Sequence, residues 1–162
     1  MNLNLGCGEM PIDGYINIDA HPYPGVDRVL RFPPLDYADG SVAHVYCGHC
    51  LEHLAPWDVL PFLEECWRVL EVGGTLTLLT PDADKARLLV ESGSLTPESY
   101  ALMVAGARYD DMPHWGLWSP KRLGMALERA GFRVHAGYSF RDDTRVYDRR
   151  AVAQAAAQGI KV

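Results

Sequence analysis

The sequence lacks the features that mark several large classes of protein. Its 162 residues contain no apolar run near the roughly 20 residues that span a membrane, and the first residues lack the charged and apolar regions of a secretory leader. Acidic residues outnumber basic ones by 21 to 15, so no basic stripe offers the counterion release that favours nucleic-acid binding. Repeats and low-complexity linkers are absent too. We therefore expect one globular domain over residues 1–162, cytoplasmic, with neither nucleic acid nor a membrane as its partner.

Cysteine is scarce, and its four occurrences, Cys7, Cys47, Cys50 and Cys66, are expected to be thiols in a reducing compartment. Cys47 and Cys50 form a C-x-x-C pattern, which is typical of thiol–disulfide oxidoreductases when it joins a strand to a helix. A thioredoxin-like fold gives no reason for the glycine pairs of this chain or for Asp19. Redox chemistry is therefore kept as the less favoured alternative.

Apolar runs bounded by glycine and proline predict strands that alternate with helices, which indicates an α/β fold with a parallel sheet. Gly73 and Gly74 are predicted to end the first helix, and an alanine-rich segment is predicted to form the last one. The predicted strands are residues 2–5, 15–19, 26–31, 42–47, 75–80 and 132–140, and the predicted helices are residues 56–70, 82–90, 97–105, 120–131 and 146–158.

The connections between the first strands are unusually short. Residues 6–14 leave hardly any room for a helix, and residues 20–25 contain two prolines, whereas parallel strands usually need a dozen or more residues to cross over. We expect the first crossover helices to be reduced or missing, so that one face of the sheet is thinly covered. An apolar face of that kind needs a partner, and we predict a homodimer from it.

A glycine pair and an acidic residue stand where two of these strands end. The first strand, residues 2–5, runs into Gly6-Cys7-Gly8, and the second ends at Asp19. Glycines after a strand allow a ligand to approach the backbone closely, and an acid at the next strand end suits a ribose diol. The two features together indicate a site for an adenosyl cofactor.

With these segments and residues 35–41, 49–54 and 67–74 in the same order, the chain resembles the class I S-adenosylmethionine-dependent methyltransferases. It looks closest to the small predicted methyltransferases of the methyltransferase type 11-like group, often found beside glycan-modifying enzymes. The resemblance implies a Rossmann-like, mostly parallel sheet flanked by helices. It also implies S-adenosyl-L-methionine as cofactor, S-adenosyl-L-homocysteine as product, and methyl transfer to an oxygen, less favourably a nitrogen, of a small molecule or glycan. A non-catalytic S-adenosylmethionine-binding subunit is the other alternative.

The resemblance also implies which residues hold the cofactor. It assigns the methionine part to the glycine turn, the ribose to the end of the second strand, the adenine to the end of the third, and the methyl side to the end of the fourth. The cofactor-binding residues predicted in this way are Gly6, Cys7, Gly8, Asp19, Ala20, Arg31, Phe32, Cys47, Gly48 and His49.

Two histidines are the predicted catalytic residues. His114 follows the fifth strand, where this fold builds its acceptor pocket, and an imidazole there suits a general base for a hydroxyl. The alternative is that His114 and Trp115 only pack within the loop. His53 ends an H-x-x-E-H pattern that begins at His49 and is also found in zinc proteases, although a new helix at Pro56 leaves no room for their long helix. Some O-methyltransferases hold a divalent ion at an acid-x-x-Glu-His pattern in this position. That likeness makes His49, Glu52, His53 and His114 possible metal ligands. The alternative is that Glu52 and His53 only orient the loop. We assign no residue to a metal.

Overall fold

The computed structural model describes residues 1–105, 113–135 and 154–162. Its strands form one sheet in the order β3-β2-β1-β4-β5-β7-β6, in which β7 alone runs antiparallel to its neighbours. The predicted α/β class, a mostly parallel sheet flanked by helices, is confirmed. The elements are β1 Asn2–Leu5, β2 Ile16–Asp19, β3 Arg28–Val29, β4 Val42–Gly48, α1 Pro56–Val69, β5 Leu70–Pro81, α2 Ala83–Glu91, α3 Pro97–Ala105, α4 Pro120–Arg129, β6 Arg133–Val134 and β7 Gln154–Ile160, with a 3₁₀ turn at Leu51–His53 before α1.

Side-chain hydrogen bonds take the place of the first crossover helices, since the chain forms no helix between β1 and β3. The Asn4 amide donates to the Asn17 side-chain oxygen (2.9 Å), which also accepts from the backbone N–H of Ile12 (2.7 Å). The Asp27 carboxylate accepts from the backbone N–H of Asn17 (2.7 Å). These bonds fasten the short connections to the sheet. The absence of helices here is what the lengths of the connecting segments predicted.

The two faces of the sheet differ in polarity. Alternate residues of β1, β4 and β5 join α1 and α4 in an apolar core, among them Leu5, Cys47 and Leu78. The register places polar side chains in one row on the opposite face across β2, β1, β4, β5 and β7: Asn17, Asn4, Tyr46, Thr77 and Gln158. The described part of this face is therefore polar in this row, so the homodimer prediction loses its premise of an uncovered apolar face.

Two predicted boundaries are wrong around α1 and β5. The helix ends at Val69, and Gly73-Gly74 lie inside the following strand instead of stopping the helix. Val42 of β4 pairs with Leu70, but His44 pairs with Thr75, so the glycines form a bulge, and Gly73 has a φ of 83°. The third strand is also shorter than predicted, because only Arg28 and Val29 pair with β2.

The predicted C-terminal helix is wrong where the structure describes it. Residues 154–160 form β7, which pairs with β5 and β6. Alanine favours helix locally, but here its small side chains lie on a strand between two others, and a Cβ at Gly159 would come within 2.8 Å of the Phe132 ring. Residues 146–153, and the end of the strand predicted over 132–140, lie outside the described residues. None of the described helices is long and apolar enough to cross a membrane.

Candidate active site

The turn after β1 requires glycine at its first position. Gly6 has a φ of 67°, a left-handed conformation that favours glycine. The backbone N–H groups of Gly6 and Cys7 both donate to the carbonyl of Ile18 (2.9 and 3.1 Å), which ties the turn to β2. A Cβ on Gly6 would lie 2.5 Å from both Cβ and Sγ of Cys50. The turn is thus held tightly between β2 and the segment after β4.

Asp19 is fixed on both sides at the end of β2. Its carboxylate is buried and accepts from the backbone N–H of Gly8 (2.8 Å) and of His21 (3.0 Å). A carboxylate held in this way keeps lone pairs for hydroxyl donors, because each oxygen can accept more than one hydrogen bond. Asp19, Ala20 and the glycine turn lie together, as the sequence predicted.

The segment after β3 lies beside this acid. The backbone N–H of Leu30 donates to the carbonyl of Asp19 (2.8 Å). The half-buried ring of Phe32 packs on Phe62 with 5.4 Å between centroids, whereas the side chain of Arg31 is exposed. Phe32 thus places an apolar ring two residues beyond the backbone bond between Leu30 and Asp19.

The end of β4 contributes main chain more than side chains. Cys47 belongs to the apolar core, and its thiol is hydrogen-bonded to that of Cys50. A Cβ on Gly48 would come within 2.7 Å of the Tyr46 hydroxyl. His49 has a φ of 53°, which is uncommon for a residue other than glycine and is found most often at functional sites.

Beyond His49, a buried carboxylate lies among histidines. Glu52 is 1% exposed, and its Oε1 lies 3.2 Å from Nδ1 of His49. The rings of His53 and His114 pack edge to face with 4.7 Å between centroids. One ligand atom from each of Glu52, His53 and His114 lies within 4.8 Å of the other two. The two predicted catalytic histidines are therefore neighbours, although 60 residues separate them in sequence.

The electrostatics of this cluster keep His114 neutral. Burial lowers the pKa of His114, and the nearby charge of Glu52 acts in the opposite direction. The other oxygen of the carboxylate, Oε2 of Glu52, has no hydrogen-bond partner among the described residues. A neutral imidazole beside a buried carboxylate can accept a proton.

Residues 21–78 match the family model described as a methyltransferase domain, and the fold matches solved S-adenosylmethionine-dependent methyltransferases. The match covers 58 of the 162 residues, and over this stretch the chain is similar to a methyltransferase domain. A search of curated proteins finds no match to the sequence. The resemblance drawn from the sequence is confirmed over residues 21–78, and S-adenosylmethionine is the cofactor that this resemblance implies. The residues present suit it, because Gly6 leaves no room for a Cβ in the turn and Asp19 is already held in place.

Three solved structures illustrate the likeness. An Archaeoglobus fulgidus S-adenosylmethionine-dependent methyltransferase is 18% identical with a TM-score of 0.62, covering 99% of this chain and 85% of that one. The Burkholderia thailandensis 1,6-didemethyltoxoflavin-N1-methyltransferase was solved with 1,6-didemethyltoxoflavin and S-adenosylhomocysteine. It is 12% identical with a TM-score of 0.66, and the match covers 99% of this chain and 70% of that one. A complex of the Haloferax volcanii Trm112 methyltransferase activator with a methyltransferase contains a chain that is 16% identical with a TM-score of 0.59. That match covers 99% of this chain and 81% of that one. At these identities the likeness is one of fold.

The methyltransferase fold also accounts for the C-x-x-C pattern. A hydrogen bond with Cys47, together with burial, raises the pKa of Cys50 well above its usual range. Burial, with the charge of Asp19, raises the pKa of Cys7 to about 11. Thiols in this state remain protonated at neutral pH and are poor nucleophiles, which argues against the redox alternative.

Sequence reasoning underestimated Glu52. The H-x-x-E-H pattern contains Glu52, but the pattern alone indicated only a loop-orienting or metal-binding role for it. Its place at the centre of the histidine cluster depends on residues 113–116, whose main chain packs on the 3₁₀ turn: the N–H of Trp115 donates to the carbonyl of Glu52 (2.8 Å). No local pattern predicts a contact between such distant segments.

Proposed function

We propose that this methyltransferase domain moves a methyl group from S-adenosylmethionine to an oxygen of a small molecule or glycan, with nitrogen as the second choice. The observation that carries the proposal is that the Asp19–glycine turn and the Glu52 cluster follow the carboxyl ends of β2, β1 and β4, which are neighbours in the sheet. In open α/β sheets, ligands bind at this end of the strands.

Each half of the site has its own task. The turn at Gly6, Cys7 and Gly8 binds the methionine part, and Asp19 accepts hydrogen bonds from the ribose hydroxyls, which are charge-assisted. Bound there, the cofactor supplies a methyl group on a sulfonium. Ala20, Arg31 and Phe32 border the nucleoside, and Cys47, Gly48 and His49 border the methyl group chiefly through their main chain.

The choice of oxygen over nitrogen rests on the histidine cluster. His114 and His53 lie together beside a buried carboxylate. An alcohol must lose a proton as its oxygen attacks the methyl group, and a positioned imidazole is the usual means, whereas many nitrogen nucleophiles attack without that help. The toxoflavin-precursor enzyme, whose acceptor is a nitrogen, is the relative that keeps nitrogen as the second candidate.

Cofactor binding by Asp19 is tested by titration calorimetry with S-adenosylmethionine and S-adenosylhomocysteine. We expect Asp19→Asn to weaken binding by about tenfold or more, because it removes the charge from two hydrogen bonds worth about 1.5 kcal/mol or more each. Asp13→Asn makes the same change at a nearby exposed residue and should bind as the parent does. Parent-like binding by Asp19→Asn would remove the ribose assignment.

Turnover is tested separately, by production of S-adenosylhomocysteine with a panel of alcohols, phenols, sugars and amines. We expect an oxygen acceptor to be methylated and His114→Ala to lose most of that activity while still binding the cofactor. Cofactor binding without turnover on any acceptor would favour the non-catalytic subunit. The activator complex among the structural relatives makes a second chain worth adding to such an assay.

Assembly is a further part of the proposal. We propose a cytoplasmic homodimer, whose interface would include Trp57, an apolar side chain that is 74% exposed at the start of α1. The molar mass from light scattering distinguishes a dimer from a monomer. A monomer at micromolar concentration would contradict this part and leave the methyltransferase site unaffected.

A further inference from the structure

We propose that Glu52, His53 and His114 form a binding site for one divalent transition-metal ion, next to the place of the methyl acceptor. Their ligand atoms converge within 4.8 Å, and the carboxylate is almost completely buried while Oε2 has no partner among the described residues. Two imidazoles with one carboxylate are a known set for Zn²⁺ in catalytic sites, and imidazole also suits Co²⁺ and Ni²⁺.

The unpartnered oxygen is the first argument. A buried charged oxygen without a hydrogen bond costs several kcal/mol, and buried charges in proteins are ordinarily paired or bind metals. Oε1 of Glu52 has His49 at 3.2 Å, so within the described residues Oε2 is the oxygen that lacks compensation. A cation between this oxygen and the two imidazoles would remove that cost.

The hydrogen bond of His53 is the second argument. Its Nδ1 lies 3.3 Å from the carbonyl oxygen of Pro113. Because a carbonyl only accepts, Nδ1 must carry the proton, and the lone pair of the neutral ring is then on Nε2. Imidazoles that bind metals nearly always donate their other N–H to a carbonyl or carboxylate in this way.

The backbone supplies the third argument, because it holds the two segments of the site together. The N–H groups of Trp115 and Gly116 both donate to the carbonyl of Glu52, at 2.8 and 3.2 Å. His114, the preceding residue, is thereby held beside the carboxylate. The arrangement of ligands thus rests on main-chain bonds as well as on the side chains.

The distances between the ligand atoms suit coordination of a single ion. Ligand atoms of tetrahedral Zn²⁺, each about 2.0–2.2 Å from the metal, lie about 3.3–3.6 Å apart. Atoms within 4.8 Å of one another therefore need to close by no more than about 1.5 Å, which side-chain rotations can supply. His49 stays outside the set, as the partner that orients the carboxylate.

Three protein ligands leave a coordination position open, which is characteristic of catalytic metal sites. An acceptor oxygen in that position would have its pKa lowered by the ion. With the ion bound, this effect would replace the general base assigned to the imidazoles, whose lone pairs would then be occupied. This last step rests on the proposed function, whereas metal binding itself does not.

The experiment is a titration of the full chain, stripped with a chelator, with Co²⁺ and with Zn²⁺, followed by calorimetry and by the visible absorption of Co²⁺. We expect one ion per chain, and we expect Glu52→Gln and His114→Ala each to weaken binding by about tenfold or more. His135→Ala, at an exposed histidine near the end of β6, is the matched control and should bind as the parent does.

Two results would overturn the proposal: no binding near one equivalent, or binding that Glu52→Gln and His114→Ala leave unchanged. A near-ultraviolet sulfur-to-cobalt band would show that thiols hold the ion, and it would overturn the proposal as well. Thermal unfolding of each variant shows whether that variant folds. His114→Ala replaces only a half-buried side chain, so the His114 variant still tests the proposal if Glu52→Gln does not fold. Binding of S-adenosylmethionine is measured separately, without metal. Loss of metal binding would therefore contradict this site alone, and loss of cofactor binding would contradict the methyltransferase proposal alone.

Discussion

Replacing Gly6 with alanine tests whether the glycine turn is packed as tightly as the structure describes. The residue has a φ of 67°, and a left-handed conformation costs an alanine about 1–2 kcal/mol. Its Cβ would also lie 2.5 Å from Cβ and Sγ of Cys50, and overpacking of this kind costs about 1–3 kcal/mol. The expected loss is about 2–5 kcal/mol in the free energy of unfolding.

Gly14→Ala is the matched control, because Gly14 has a φ of 79° but no heavy atom within 4 Å of its would-be Cβ. This variant meets only the conformational cost, about 1–2 kcal/mol. For a domain of this size, about 2–4 °C of Tm corresponds to each kcal/mol. Gly6→Ala should therefore unfold several degrees below Gly14→Ala, and it should also bind S-adenosylmethionine more weakly.

A double-mutant cycle with Cys50→Gly isolates the contact, because that change removes both crowding atoms. We expect the Gly6→Ala cost to shrink by about 1–3 kcal/mol in the Cys50→Gly background, as coupled neighbours do. Equal Tm values for Gly6→Ala and Gly14→Ala, with no coupling to Cys50, would refute the close approach of the turn to the segment after β4.

Three further predictions concern other parts of the molecule. Gly159→Ala should destabilise the protein by about 1–3 kcal/mol in chemical denaturation because its Cβ would press on the Phe132 ring, whereas in a helix the same change would stabilise by roughly 0.5–1 kcal/mol. Burial lowers the pKa of His44 below 6.5, so the unfolded chain binds the proton more readily. Stability should then fall as the pH drops below 6.5, and His44→Asn should flatten that fall in urea unfolding. The native chain should show no insulin reduction by Cys47 and Cys50; measurable activity, lost in Cys47→Ser, would revive the redox alternative.

Local chemistry was enough for the sequence to predict much of the fold. Prolines mark the first residue of α1, α3 and α4, as expected from the fixed φ of proline and its missing N–H. Asp82 precedes α2 and accepts from the backbone N–H of Lys85 (3.0 Å), which is ordinary N-capping. The positions of the glycine turn after β1 and of Asp19 at the end of β2 were also predicted, because each depends on one strand end and on the conformational freedom of glycine.

Features that depend on distant pairing were decided by the tertiary structure alone. The alanine-rich C-terminus favours a helix when taken by itself, but residues 154–160 complete the sheet between β5 and β6 because their small side chains fit there. The polar row through Tyr46 and Thr77 follows from strand register, which no single segment encodes. The meeting of Glu52, His53 and His114 likewise depends on main-chain bonds between segments some 60 residues apart. Sequence pattern therefore determined the fold class and predicted a cofactor and the acid that would bind its ribose. Tertiary packing decided the last strand, the polar face and the carboxylate–histidine cluster, since long-range contacts leave no local periodicity to read.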